Sequence, residues 1–317
     1  MRKFLVILGS TSTGKTDLAL VLAKKFNGEL VSCDSRQVYK GLDIGTGKMP
    51  GEKVTITKGE GFWEMDGIKV WIYDIADPKI QYTVYDYVKD ANEVIEDILK
   101  RGKLPIVVGG TGFYLKALLD GLPSLAVPID QELRKKLEKF SLRHLQQKLQ
   151  EISPEKWKKM NDSDRQNPRR LIRAIEIILN QNNTLKFKKK AFNCLKIGLT
   201  TSRQILYQRI DEWVIGRIKQ GMIDEARSLQ KGELSYKRMH DLGLEYGVLA
   251  DYLEGKIKSE EELIKILQGK IHGYARRQAT WFKKEKNIFW FDITDKEFPD
   301  KLENEVAKWY YQATDDT

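Results

Sequence analysis

A short apolar run, FLVIL at Phe4–Leu8, leads directly into GSTSTGKT at Gly9–Thr16. The run and loop fit a β-strand followed by G-x-x-x-x-G-K-[ST], the phosphate-cradling loop of nucleotide-binding proteins. Its order of strand, tight loop and helix sets the first βα unit of a parallel sheet. Successive backbone N–H groups converge on phosphate oxygens, Lys15 adds a fixed positive charge, and the Thr16 hydroxyl can hold Mg²⁺. Gly9, Ser10, Thr11, Ser12, Thr13, Gly14, Lys15 and Thr16 are therefore all expected at a phosphate. The motif leaves open which phosphate is held.

The apolar run has five residues, short of a signal-peptide core and far short of a membrane span. The 317 residues, 41% of them hydrophobic, suffice for one large or two modest domains with a buried core. With 55 basic residues against 45 acidic ones the net charge is +10, which draws polyanions and nucleic acid first among them. Cys33 and Cys194 form no metal-type cluster, and His144, His240 and His272 are too scattered to complete one. Both thiols read as reduced packing residues of a cytoplasmic protein.

Apolar or β-branched segments recur at Phe4–Leu8, Glu29–Cys33, Val70–Ile75 and Leu104–Val108, with helical patterns between them. Asp17–Phe26 places Leu18, Val21, Leu22 and Phe26 on one face and ends at Asn27-Gly28. A second helix, capped by Thr83, places Val84, Val88, Ala91, Ile95 and Ile98 on one face and closes at Arg101-Gly102. This alternation predicts an α/β fold with a parallel, doubly wound sheet of the P-loop NTPase type. After Tyr114 the pattern turns helical and basic over Asp130–Ile152 and Pro168–Leu179, so residues 121–193 are assigned to a helical insertion between core segments 1–120 and 194–317. Gly121-Leu122-Pro123 and Asn180–Thr184 read as hinges of that insertion, and LKFKKKAF as a short basic run. Strand character returns at Leu195–Leu199, and helices follow from Arg203 to a last strand at Ile288–Asp292.

Four further segments carry candidate chemistry. Asp34 and Ser35 end the second strand, at the sheet edge where α/β proteins place ligands; the carboxylate there can ligate Mg²⁺, accept a proton or cap a turn. Gly109-Gly110-Thr111-Gly112 ends another strand on the same edge. In NDSDRQNPRRLIRAIEI, Pro168 suits a first helical turn, and Arg169, Arg170 and Arg173 cluster at its start, as phosphate ligands or as a solvated basic face. In GYARRQATWFKK, Arg276, Arg277, Lys283 and Lys284 interleave with Tyr274, Trp281 and Phe282; this suits RNA phosphates and base stacking, while core anchoring is the favoured reading of Trp281 and Phe282.

Taken in order, GSTSTGKT, DSRQVYKGLDIGTGK, VGGTGFYLKALLDGL, NPRRLIRAIE and YARRQATWF resemble the tRNA dimethylallyltransferase family along the whole chain. The resemblance implies transfer of a dimethylallyl group from dimethylallyl diphosphate to the N6 of an adenosine next to the anticodon of tRNA, with diphosphate leaving and Mg²⁺ as cofactor. It implies Asp34 as the base that takes the adenine proton and Thr111 as a residue orienting the reacting groups. It also implies tRNA contacts from Asp34, Ser35, Arg36 and Gln37, and from Arg165, Asn167, Arg169 and Arg170 of the insertion. The adenosine is expected to flip into a channel between core and insertion, in a cytoplasmic, monomeric enzyme with no membrane attachment.

The chain departs from the family at several positions. Ser10 stands where the family carries Pro, VWIYDIADP has Trp71 and Ile72 in place of a histidine-containing stretch, and Leu244 replaces a tyrosine. Trp213, in RIDEWV, replaces an arginine expected to help bind diphosphate; Arg209 or Arg217, one helical turn away on either side, can stand in for it. From the phosphate loop alone, a small-molecule or nucleotide kinase remains the alternative.

Overall fold

The computed structural model describes residues 3–50, 54–122, 127–180 and 193–312. The chain divides into two compact units, Met1–Leu119 with Ala191–Thr317, and Asp120–Lys190.

The larger unit opens with β1 (Lys3–Gly9), α1 (Lys15–Lys25) and β2 (Gly28–Ser32). A hairpin follows, β3 (Ile56–Gly59) and β4 (Phe62–Met65), and then β5 (Ile68–Trp71), α2 (Val84–Lys100), β6 (Leu104–Gly109) and α3 (Gly112–Asp120). The smaller unit contains α4 (Gln131–Leu137), α5 (Leu142–Ile152), α6 (Pro154–Lys159), α7 (Asp162–Arg165) and α8 (Pro168–Leu179). The larger unit resumes with β7 (Asn193–Thr200), α9 (Arg203–Lys219), α10 (Met222–Lys231), α11 (Tyr236–Leu242), α12 (Leu244–Leu253) and α13 (Glu260–Phe282). It ends with β8 (Ile288–Asp292) and α14 (Phe298–Tyr311).

The strands form one eight-stranded sheet in the order β3-β4-β5-β2-β6-β1-β7-β8. From β5 to β8 every neighbouring pair is parallel, while β3 and β4 pair antiparallel at one edge. FLVIL is fully buried because β1 lies between β6 and β7 and has both faces covered, which is why it reads as a continuous apolar run. The register sets Leu8 beside Gly109, Gly9 beside Leu199 and Ser32 beside Val108, so the loops after β1, β2 and β6 leave the sheet at one edge.

The antiparallel pairing of β4 with both β3 and β5 departs from the expected all-parallel sheet, most plainly in the β4–β5 hairpin. Its signal is Asp66-Gly67 between FWEM and IKVW, a two-residue turn in which both residues adopt positive φ (48° and 82°). The expected strand Val70–Ile75 stops at Trp71 because Ile72 and Asp74 also adopt positive φ. In α1 the buried face is Ala19, Leu22, Ala23 and Phe26, and Val21 is exposed. Both stripes satisfy helical spacing, and the sheet selects the one whose alanines allow close packing. Thr83 forms the expected cap, within a capping box with Asp86.

In the smaller unit the expected helix Asp130–Ile152 is two helices, because Ser141 caps α5 by accepting from the His144 N–H and so starts a new axis. Leu145, Leu149, Leu171 and Ile175 form its core. Buried Glu176 accepts from Arg134, Arg173 and the Asp130 N–H, tying α8 to α4. Strand β7 begins at Asn193, so the sheet resumes one residue before the expected boundary. Pro123, 181–184 and LKFKKKAF, parts of the hinge and basic-run readings, lie outside the described residues. Among those described, no helix is long and apolar enough to cross a membrane.

Candidate active site

The three loops at the carboxyl edge line one cavity of about 490 Å³, in which Thr11, Ser12, Gly14, Lys15 and Thr16 face Asp34, Gly109 and Gly110. Helix α9 adds Arg209, Glu212, Trp213 and Arg217, and α13 adds Tyr274 and Gln278. Every lining residue belongs to the larger unit.

Gly14 is the N-cap of α1 and, among the described residues, no side chain caps that terminus, in contrast to Thr83 of α2. The first N–H groups of α1 are thus left to a ligand, at the positive end of the helix dipole. The buried Ser12 hydroxyl has no hydrogen-bond partner among the described residues. Lys15 Nζ donates to the Ser10 carbonyl at 2.6 Å. Burial pushes its pKa down from 10.5 to about 8, against the opposing pull of the Asp34 carboxylate. Arg209 Nε donates to the Ser12 carbonyl at 2.8 Å, fixing the far side of the loop.

Asp34 Oδ1 accepts from the Arg36 N–H at 2.8 Å, so the turn-capping reading is realised by one carboxylate oxygen while the residue also lines the cavity. Thr111 holds the same turn from β6, its Oγ1 accepting from the Ser35 N–H at 3.1 Å and its own N–H reaching the Cys33 carbonyl. Arg36 donates to the Ser35 carbonyl and hydroxyl, and its buried Nε lacks a partner among the described residues. Gln37 is engaged at both ends: its Oε1 accepts from Ser32 Oγ at 2.8 Å and its Nε2 donates to the Gly47 carbonyl at 3.1 Å. Both cysteine thiols are pushed up to about 12 by burial, which suits packing residues.

Two anchoring residues escaped the sequence reading. Gln278 of α13 accepts from the Thr11 N–H and donates to the Gly110 carbonyl, both at 2.9 Å, so one amide joins the loops after β1 and β6. A Cβ at Gly110 would lie 2.2 Å from its Nε2, which is what the second glycine of GGTG avoids. Its signal was its place in ARRQATWF, one turn from Tyr274. Glu225 of α10 accepts from the N–H groups of Asp43, Ile44 and Gly45 and from Tyr246 Oη, setting the DIGTGK loop beside the cavity. Of the aromatics in that α13 segment, Phe282 is buried as expected, while Trp281 is 37% exposed and packs edge-on to Phe113.

The insertion residues lie in the smaller unit. Asn167 caps α8 by accepting from the Arg170 N–H, Arg165 stacks on Trp157 and donates to its carbonyl, and Arg170 pairs with Asp164. Arg173 joins the buried Glu176 cluster, and Arg169 is exposed. In the larger unit His240, Asp251 and Glu254 bring their ligand atoms within 4.8 Å of one another, where Lys256 already pairs with both carboxylates. Of the family departures, Trp71 donates to Glu29 and Ile72 is buried.

A phosphate loop and an acidic turn at the carboxyl edge of a parallel sheet define a P-loop-type α/β enzyme of group transfer. The IPP transferase family profile matches residues 37–285 and the isopentenyl transferase profile residues 2–62. The chain is 42% identical over 295 residues to tRNA dimethylallyltransferase 2 of Treponema denticola, covering 89% of this chain and 92% of that protein. It is 36% identical over 312 residues to tRNA dimethylallyltransferase of Halalkalibacterium halodurans, covering 95% and 94%. The solved tRNA isopentenylpyrophosphate transferase from Bacillus halodurans superimposes with a TM-score of 0.70 at 34% identity, covering 98% of this chain and 97% of that one. A eukaryotic dimethylallyltransferase acting on tRNA gives 0.77 at 25% identity, covering 97% and 78%. The chain belongs to the tRNA dimethylallyltransferase family.

Proposed function

We infer that this cavity transfers a dimethylallyl group from dimethylallyl diphosphate to the N6 of an adenosine in the anticodon loop of tRNA. The bond between the allylic carbon and the diphosphate oxygen breaks, and the electron pair leaves with diphosphate. The N6 lone pair forms the new C–N bond, and the N6 proton passes to the Asp34 carboxylate. The observation that carries this reading, beside family membership, is that one cavity holds a phosphate loop with Lys15 and a carboxylate, Asp34. The α1 N–H groups and Lys15 meet the charge that grows on the leaving group.

Thr111 acts on this step by holding the turn that carries Asp34. The oxygen donors of Thr16 and Asp34 line the same cavity and fit a hard divalent cation such as Mg²⁺, which when bound would supply charge neutralisation of the diphosphate. Ser35, Arg36 and Gln37, and Arg165, Asn167, Arg169 and Arg170, serve as the tRNA-facing sets. A kinase reading has the same phosphate loop in its favour, but family membership does not favour it.

The test is the product formed from an anticodon stem-loop supplied with dimethylallyl diphosphate and ATP together. Mass analysis is expected to find a prenylated adenosine; phosphoryl transfer without prenylation would overturn the reading. Asp34→Asn should lower kcat by about 10²- to 10⁴-fold, the usual worth of a positioned general base, while diphosphate binding persists. An unchanged rate would remove Asp34 from the role of base.

A further inference from the structure

We propose that Arg217, laid over the face of Trp213, is a ligand of the donor's diphosphate in this chain. The proposal deepens the reading of the cavity as a donor site and rests on it.

Arg209, Trp213 and Arg217 are spaced four residues apart on α9 and present one stripe of side chains to the cavity. Arg217 is only 6% exposed. Its guanidinium carbon lies 3.2 Å from the centroid of the Trp213 ring, a stacking contact that fixes the plane of the fork. A Cβ at Gly47 would fall 1.8 Å from Arg217 Nη2, so the glycine of DIGTGK leaves the space that the guanidinium fills.

The guanidinium has five N–H donors, and among the described residues its one hydrogen bond runs from Nη1 to the Gly45 carbonyl at 2.8 Å. Among the same residues no carboxylate lies within ion-pair distance. Glu245, Glu225 and Asp34 act on it only at longer range, and burial prevails over them, pushing its pKa down from 12.5 to about 9. Two buried carboxylates elsewhere in this protein are matched directly, Glu29 by Arg101 and Glu176 by Arg134 and Arg173. A buried cation without such a partner is costly, and an anion that enters the cavity relieves that cost.

The other groups facing the cavity locate that anion. Asp17, Asp34 and Glu212 are acidic, whereas Lys15, Arg209 and Arg217 are basic. Ser12, whose hydroxyl has no partner among the described residues, lines the same cavity as Lys15. A diphosphate seated on the loop meets Lys15 and Ser12 from one side and the Arg217 fork from the α9 side, and that fork suits a phosphate's paired oxygens. Trp213 is then the positioning residue, since it holds the fork but offers the anion no charge.

The test measures binding of inorganic diphosphate by calorimetry, beside affinity for an anticodon stem-loop RNA. Arg217→Met is expected to weaken diphosphate about tenfold or more and to leave RNA affinity unchanged, with Arg217→Lys in between because charge without the fork recovers part of the contact. Should Arg217→Met fail to fold, Trp213→Leu frees the fork and is expected to weaken diphosphate several-fold. A folded Arg217→Met that binds diphosphate as tightly as the unaltered protein overturns the proposal, as does a loss confined to RNA. Wild-type protein that binds diphosphate through Arg217 but prenylates no RNA would support this inference and refute the assigned donor, so the two failures are separable.

Discussion

At Lys15 burial and function oppose one another. Its folded pKa of about 8 lies below the 10.5 of a free lysine, so in the empty protein its charge opposes folding below pH 8, and this cost fades as pH rises toward 10.5. An anion on the loop reverses the preference and favours the charged form. Relative to Lys15→Met, the unaltered protein should therefore bind diphosphate more tightly below pH 8 and lose that advantage as pH rises through it. Titrating both at matched pH cancels the ligand's own ionisation, and a difference that stays constant from pH 7 to 9 would refute the assignment. Lys15 and Asp34 were legible as single residues because motif and strand end fixed their places. Gln278 was not, since an amide inside a basic helix has no local signature and its two partners lie 267 and 168 residues away.

At the scale of the element, β2 shows how a buried charge is tolerated in a sheet. Glu29 is 2% exposed and accepts from Arg101, Lys103 and Trp71, whose bonds outweigh the desolvation and hold its pKa near 2, below the usual 4.5. This contribution is complete above pH 4.5 and disappears as pH falls through 2. Glu29→Gln should cost about 2 kcal/mol at pH 7, the scale of hydrogen bonds to a charged group. Its unfolding midpoint should converge with the wild type as pH approaches 2, and parallel acid-denaturation curves would contradict the account. Elements with strong periodicity, such as α2 and α8, were readable from their spacing, and the Thr83 cap of α2 and Pro168 in the first turn of α8 added the start points. The β4–β5 hairpin escaped because its strands are four residues each, too short to show alternation, even though Asp66-Gly67 marks its turn.

At the scale of the whole molecule, the net charge of +10 provides a general attraction for RNA, and the prenyl-transfer reading assigns part of it to the smaller unit. Arg165 and Arg170 already have partners in Trp157 and Asp164, and Arg173 is committed to Glu176, so the local fold uses several of the cations that a sequence reader would assign to RNA. Replacing Arg169 and Arg170 together by Ala should weaken stem-loop binding. It should also reduce the slope of log K against log salt by about 1 for each RNA phosphate that the protein no longer neutralises. An unchanged slope would place the RNA elsewhere.

The sequence by itself determined the phosphate loop and the parallel core, because each depends on short-range pattern: a strand meeting a glycine loop, and continuous apolar runs alternating with apolar stripes at a period of 3.6; the family was legible as a resemblance, from motifs in a fixed order. Only the tertiary structure decided which side chains complete the cavity. Gln278 bridging two loops, Glu225 setting the DIGTGK turn and Arg217 filling the space left at Gly47 all depend on segments far apart in sequence, and burial with hydrogen-bond satisfaction, not spacing, brings them together.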